Sequence, residues 1–437
     1  MTPINHKRWI YWLGPAVAML LGWGLRGFIG GGPLGAMIPG AMVALLLCLI
    51  LGMDRRTSAL LAAFGAIGIG FGGQMTYGQT IGLIVQPESF FRGFVGLSLK
   101  GGIWGLLGGA VLGLGFIRNE IQRKEIVVGL VLLLVGLILG WQLINVPKLI
   151  YFSNLQDKPR AEIWAGLLFG AVALLGYLGF KGKAALPLHF AMWGALGGAI
   201  GFGGGGLWMC AGKALPELKQ MVSWWKLMEL TFGFCFGLAL GHAAWLKREV
   251  IFAAQAKPHL EPDRQLAVGV SVIVTLVMGL AVLGLEASID IVSTFTFLGV
   301  ALLILALYME ALMWQIGLTV TTCAFVYDLT EKFFEQRDQG DSPAKWGMAA
   351  LTAVILGWLV ARRQLAVVPM VRWAFLLLMW SAVVVSYLKS LQHPRATFAQ
   401  VTVELVFTLS AVLLTWMAGR KIHPNEASAA ATGQGLH

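Results

Sequence analysis

The stretch from Gly70 to Gly82 reads GFGGQMTYGQTIG and lies between apolar runs long enough to cross a bilayer. Gln74, Thr76, Tyr77, Gln79 and Thr80 supply hydroxyl and amide groups, while the glycines supply backbone that need not stay helical. Non-helical backbone at membrane depth persists only where it is buried in protein or lines a wet cavity. A helix broken there frees main-chain N–H groups to hold an anion. Four charged residues fall at comparable depth in other apolar runs: Arg26, Lys100, Lys226 and Glu229. A charge facing lipid at mid-depth costs about 3 kcal/mol, so these groups should face one another or a shared cavity. The predicted substrate-binding set is Arg26, Gln74, Thr76, Tyr77, Gln79, Lys100, Lys226 and Glu229. Its cations outnumber its single carboxylate, which favours an anion.

Plainer roles compete with this one. Arg26, Lys226 and Arg92 can snorkel to the headgroups. Lys100 can pair with Glu229 as a buried structural bridge, and Gln74 to Thr80 can form a capped helix end. Gly203 to Lys213, GGGGLWMCAGK, has the same glycine-rich character and is expected to break in a similar way. His189 and His242 stand alone near helix ends. Glu286, Asp290, Asp328 and Glu331 read as solvated groups near a surface. The four cysteines, Cys48, Cys210, Cys235 and Cys323, have neither metal-ligand spacing nor a disulfide pattern. There is no phosphate loop, HExxH or CxxC, so neither a cofactor nor a metal is expected.

The elements that must position these groups are helices in lipid. Hydrophobic residues make up 58% of the 437 residues and charged residues 12%, with a mean hydropathy of +0.77. A soluble domain would carry roughly 25% charged residues. The net charge of +11 is spread over small clusters at helix ends, which excludes a nucleic-acid stripe and fits membrane topology. The hydropathy pattern predicts an all-α polytopic membrane protein of fourteen spans. They run 10–29, 33–53, 57–80, 92–117, 125–145, 161–180, 185–208, 221–245, 266–286, 290–308, 309–329, 346–361, 367–388 and 398–419. Seventeen of the 32 Lys and Arg residues fall in connections on the side of the termini, eleven on the other, and four inside spans. That excess places both termini in the cytoplasm, of a bacterial cytoplasmic membrane.

The first eight spans read as two copies of a four-helix unit, residues 1–120 and 121–248. Gly101, Gly105, Gly109 and Gly113 of the fourth span match Glu229, Gly233, Gly237 and Gly241 of the eighth. Gly70-Phe71-Gly72-Gly73 matches Gly201-Phe202-Gly203-Gly204, Gly40-Ala41 matches Gly170-Ala171, and Gly22-Trp23 matches Gly140-Trp141. An even number of spans per copy makes the repeats parallel. Glycine every fourth residue lets backbones approach closely, and the fourth and eighth spans are expected to meet near the pseudo-axis. Residues 266–420 read as an appended six-helix bundle, and 423–437 as a disordered tail.

Three functions compete. The first is a transporter or channel for a small anionic solute, with its polar cavity in the outer half of the bilayer. The second is a scaffold or accessory subunit whose partner docks on the C-terminal bundle. The third is an enzyme acting on a lipid-linked substrate, with Glu229 or Tyr77 in acid–base work.

Overall fold

The computed structural model describes residues 8–29, 31–153, 162–255, 291–308, 313–320, 343–364, 370–390 and 397–419. Among these residues the structure is helical, with no strand. The first half contains α1 (Arg8–Ile29), α2 (Gly32–Leu51), α3 (Arg55–Gly72), the short α4 (Gly78–Ile84), α5 (Phe90–Phe116), α6 (Arg123–Gly140), α7 (Trp164–Phe180), α8 (Ala185–Ala214) and α9 (Trp224–Gln255). The C-terminal part adds α10 (Ile291–Tyr308), a π-helical turn at Gln315–Val320, α11 (Pro343–Gln364), α12 (Met370–Ser390) and α13 (Phe398–Gly419). Seven segments among the described residues are long and apolar enough to cross a membrane. This is the architecture of an integral membrane protein. The expected span 266–286, most of 309–329 and the tail 423–437 lie outside the described residues.

α2 is apolar on every side, and all of its residues from Pro33 to Leu51 are buried. A helix of that kind belongs inside a bundle. It lies between α1 and α3, with α12 packed along it. α13 and α12 pack on α1, while α10 and the π-helical turn pack on α3. Among the described C-terminal elements, α10, α12, α13 and the π-helical turn thus cover α1, α2 and α3, and α11 packs on the π-helical turn.

α6 shows the opposite pattern. Ile126, Gly129, Leu130, Leu133, Gly136, Leu137 and Gly140 are buried at helical spacing against α7. Val128, Val131, Val135 and Leu139 are exposed on the other side. An exposed aliphatic stripe of that length is a surface for lipid tails.

The glycine stripes govern which helices touch. A Cβ on Gly105 would stand 1.8 Å from the Gly194 carbonyl oxygen, and one on Gly101 2.2 Å from that of Gly198. So the glycine stripe of the fourth span packs on the seventh, α5 on α8, while α5 meets the eighth, α9, only through side chains such as Trp104 on Phe232. The stripe of α9 meets α1 instead. A Cβ on Gly237 would lie 2.2 Å from the Pro15 carbonyl oxygen, and one on Gly241 1.9 Å from that of Tyr11. Pro15 has no N–H to give to the carbonyl four residues before it, which is Tyr11. The close approach of Gly241 offers that oxygen a weak Cα–H donor. The two four-helix halves also differ in packing, since α2 runs along α3 while α7 barely touches α8.

Candidate functional site

The expected helix 57–80 stops at Gly72. Its last bonds tighten, with Gly73, Gln74 and Met75 donating to Gly70, Phe71 and Gly72 at 2.9, 3.3 and 3.0 Å. Gly72 is required by the Trp104 indole, which a Cβ would meet at 2.1 Å, and Gly73 by the start of α2, with the Gly32 oxygen and Pro33 Cα each 2.5 Å away. The Ile69 carbonyl accepts from Trp104 Nε1 at 2.7 Å. The chain then runs non-helically to Tyr77 and restarts as α4 at Gly78. The break expected in Gly70 to Gly82 is present. Its supposed counterpart, Gly203 to Lys213, is not broken and continues α8 to Ala214.

Two cations grip the break. Lys100, 1% exposed, donates to the Thr76 carbonyl at 2.7 Å, to Thr80 Oγ1 at 2.8 Å and to Glu162 Oε1 at 2.7 Å. An ammonium has three hydrogens, so all are used. Glu162 was not among the expected site residues. Its carboxylate also accepts from Ser153 Oγ at 3.0 Å and from the Phe152 amide at 3.1 and 3.2 Å. The supposed bridge from Lys100 to Glu229 does not form, because Lys100 reaches Glu162 at the start of α7 and Glu229 is taken by Lys226 and Trp225 on its own helix. Glu162 is held there by its neighbours. Asn145 Oδ1, at the end of α6, caps α7 by accepting from the Ala165 and Gly166 amides at 3.1 Å each. Arg92 donates to the Tyr151 carbonyl and draws that loop onto α5.

Glu229 has another partner. Its Oε2 takes Lys226 Nζ at 2.6 Å, and its Oε1 takes Trp225 Nε1 at 3.0 Å. Lys226 also donates to the Gly24 carbonyl at 3.1 Å, which ties α9 to α1. Both buried lysines thus have a carboxylate beside them.

Arg26 is the cation without one. It is 2% exposed, and among the described residues no carboxylate pairs with it. Nη1 donates to the Tyr77 hydroxyl at 3.0 Å, Nη2 lies 3.5 Å from the Gly32 carbonyl, and Nε has no hydrogen-bond partner. The guanidinium carbon is 5.4, 5.7 and 5.3 Å from the ring centres of Trp23, Tyr77 and Trp104. Such cation–π contacts offset part of the cost of burial. Tyr77 is fixed in turn by Trp225, 6.2 Å away and stacked, and by Phe202 at 5.1 Å, edge-on.

Above Arg26 lies bare backbone. The N-cap of α2 is Gly31, with no side-chain cap, and Gly32 has φ of +70°. A Cβ on Gly31, Gly32 or Gly78 would meet nothing within 4 Å. In the first turn of α2, Gly32 and Leu34 keep backbone N–H groups with no side-chain cap, Pro33 having none, near a buried guanidinium.

The structure gathers Arg26, Thr76, Tyr77, Lys100, Lys226 and Glu229 around the α3–α4 break and the α1–α2 turn, in two groups rather than one cavity. Lys100 is closed into its pair, holding the main chain at Thr76. Arg26 holds the side chain at Tyr77. Gln74 turns away, accepting from Thr296 of α10 at 2.8 Å and donating to the Phe71 carbonyl. Gln79 is half-buried on α4. Among the described residues no cluster of His, Cys, Asp and Glu could hold a metal. Compared with protein-family models, curated proteins and solved structures, the chain matches none.

Proposed function

We propose that this protein is a membrane transporter or channel for a small anionic solute, which it recognises at Arg26. The observation that carries the reading is charge balance. Lys100 and Lys226 each have a carboxylate within 2.7 Å, and Arg26, also buried, has none among the described residues. An uncompensated guanidinium in a low-dielectric interior is costly. An anion seated against it recovers that cost, with Nε and the first N–H groups of α2 as further donors.

The finer topology belongs to the same proposal. Fourteen spans place both termini in the cytoplasm of a bacterial membrane and the Arg26 site in the outer half of the bilayer. The parallel four-helix repeat is supported by the equivalent pairings of α1 with α2 and α6 with α7, and of α3 with α5 and α8 with α9, and not by the glycine stripes, whose partners differ. The sidedness is tested with Arg123→Cys and Lys148→Cys. An impermeant maleimide is expected to label Lys148→Cys from outside and Arg123→Cys only after permeabilisation. Labelling of both from one side contradicts the topology.

Function is tested with the full chain in sealed liposomes and a panel of small inorganic oxyanions and carboxylates. Saturable uptake of one class, absent from empty liposomes, is the expected result. No uptake and no binding of any member would leave Arg26 a structural group and favour the scaffold.

A further inference from the structure

We propose that the groove between α1, α8 and α9 binds an anionic phospholipid of the leaflet on the side of the α1 N-terminus. The groove encloses about 320 Å³ and is lined by Trp12 of α1, by Trp193, Leu196 and Ile200 of α8, and by Cys235 and His242 of α9. Its floor is set where α8 and α9 touch: a Cβ on Gly197 would stand 2.5 Å from that of Ala239. Leu196 and Ile200 are exposed along its edge, so it opens sideways to lipid. Apart from His242 the walls offer no strong polar group. Eight residues of helix, Trp193 to Ile200 or His242 to Cys235, give it a length of about 10 Å. That accepts the upper part of one acyl chain.

One end is built differently. Trp12 Nε1 donates to His242 Nδ1 at 3.0 Å, and the Trp193 ring stands edge-on to His242, centres 4.5 Å apart. With Nδ1 accepting, the neutral imidazole carries its hydrogen on Nε2. The Arg8 guanidinium lies 4.2 Å over the Trp12 ring. An aromatic clamp topped by a guanidinium is the arrangement that suits a lipid phosphate at an interface, with its chain running inward. The occupant fixed by this charge is an anionic phospholipid rather than a zwitterionic one. The site lies at the opposite end of α1 from Arg26, and the inference does not depend on the anion reading.

The full chain is reconstituted in nanodiscs with trace phosphatidylglycerol or phosphatidylcholine carrying a diazirine in the acyl chain, and the labelled peptides are mapped after irradiation. Phosphatidylglycerol is expected to label residues 193–200 and 235–242 about fivefold more than phosphatidylcholine. Arg8→Gln is expected to remove that preference, and Ile200→Trp, which fills the groove from its exposed edge, to lower labelling by both. Equal labelling by the two lipids overturns the proposal. So does labelling of the groove no denser than that of the exposed stripe of α6, which would mark ordinary surrounding lipid. The wild-type comparison decides the matter even where a variant fails to fold.

Discussion

Replacing Glu162 with alanine is expected to destabilise the protein by about 3–5 kcal/mol, the cost of breaking a buried ion pair from one side. The carboxylate accepts from Lys100, Ser153 and the Phe152 amide. Without it, Lys100 keeps two neutral partners and an unneutralised charge at 1% exposure. The loss should appear as a lower midpoint of thermal unfolding in detergent, read by the fraction that stays monodisperse. Lys100→Met combined with Glu162→Leu should recover most of it, because an apolar pair of similar volume removes both charges together. A Glu162→Ala protein that melts like wild type would show that the pair does not close the α3–α4 break. The Phe152 and Ser153 loop would then be anchored by something else.

Gly105→Leu is expected to prevent folding, and Gly105→Ala to cost about 1–3 kcal/mol. Two effects oppose each other in the alanine variant. Removing a glycine from a helix interior gains up to about 1 kcal/mol. The new Cβ, however, falls 1.8 Å from the Gly194 oxygen, and the obstacle is backbone. No rotamer change relieves it, so α5 and α8 must separate along their whole contact. Gly176→Ala is the control. Its Cβ would meet nothing within 4 Å, so only the propensity gain remains and the variant should be neutral or slightly stabilised. Purified yield and thermal midpoint read all three. A Gly105→Leu protein with wild-type yield would rule out the close crossing.

Several features of this architecture are legible in the residues. Apolar runs near 20 residues with charged ends place α1, α2, α5, α6 and α13 to within a few residues, because the bilayer sets length and lipid sets composition. The break after Gly72 is visible as glycine and polar residues inside an apolar run, yet its position is not. Gly72 and Gly73 are imposed by Trp104 and Gly32, which are remote in sequence. The same composition misleads at Gly203 to Lys213. There Gly203 makes room for Ser98, Gly205 for Met228 and Gly206 for Leu97, so the glycines serve packing and the helix runs on. Glu162 escaped notice because it follows Asp157, Lys158 and Arg160 and looks like part of a solvated connection. The useful signal was a lysine, Lys100, at membrane depth with no acid on its own helix. Choosing Glu162 over Glu229 required knowing that α5 also meets the start of α7, and glycine spacing gives a smooth face without naming the helix that uses it.

The central claim is that Arg26 is kept buried and uncompensated for a ligand. It is tested most directly by measuring anion binding and thermal stability together on Arg26→Met. A structural arginine and a ligand-binding one differ in sign here. If Arg26 holds the fold through Tyr77 and the Gly32 carbonyl, its loss lowers the unfolding midpoint. If it is held at a cost for a solute, an apolar side chain of similar length removes the unpaired charge. We expect Arg26→Met to unfold at or above the wild-type midpoint and to lose the anion-induced rise in that midpoint shown by wild type. An Arg26→Met protein that melts well below wild type, or one that still responds to the same anions, would contradict the account.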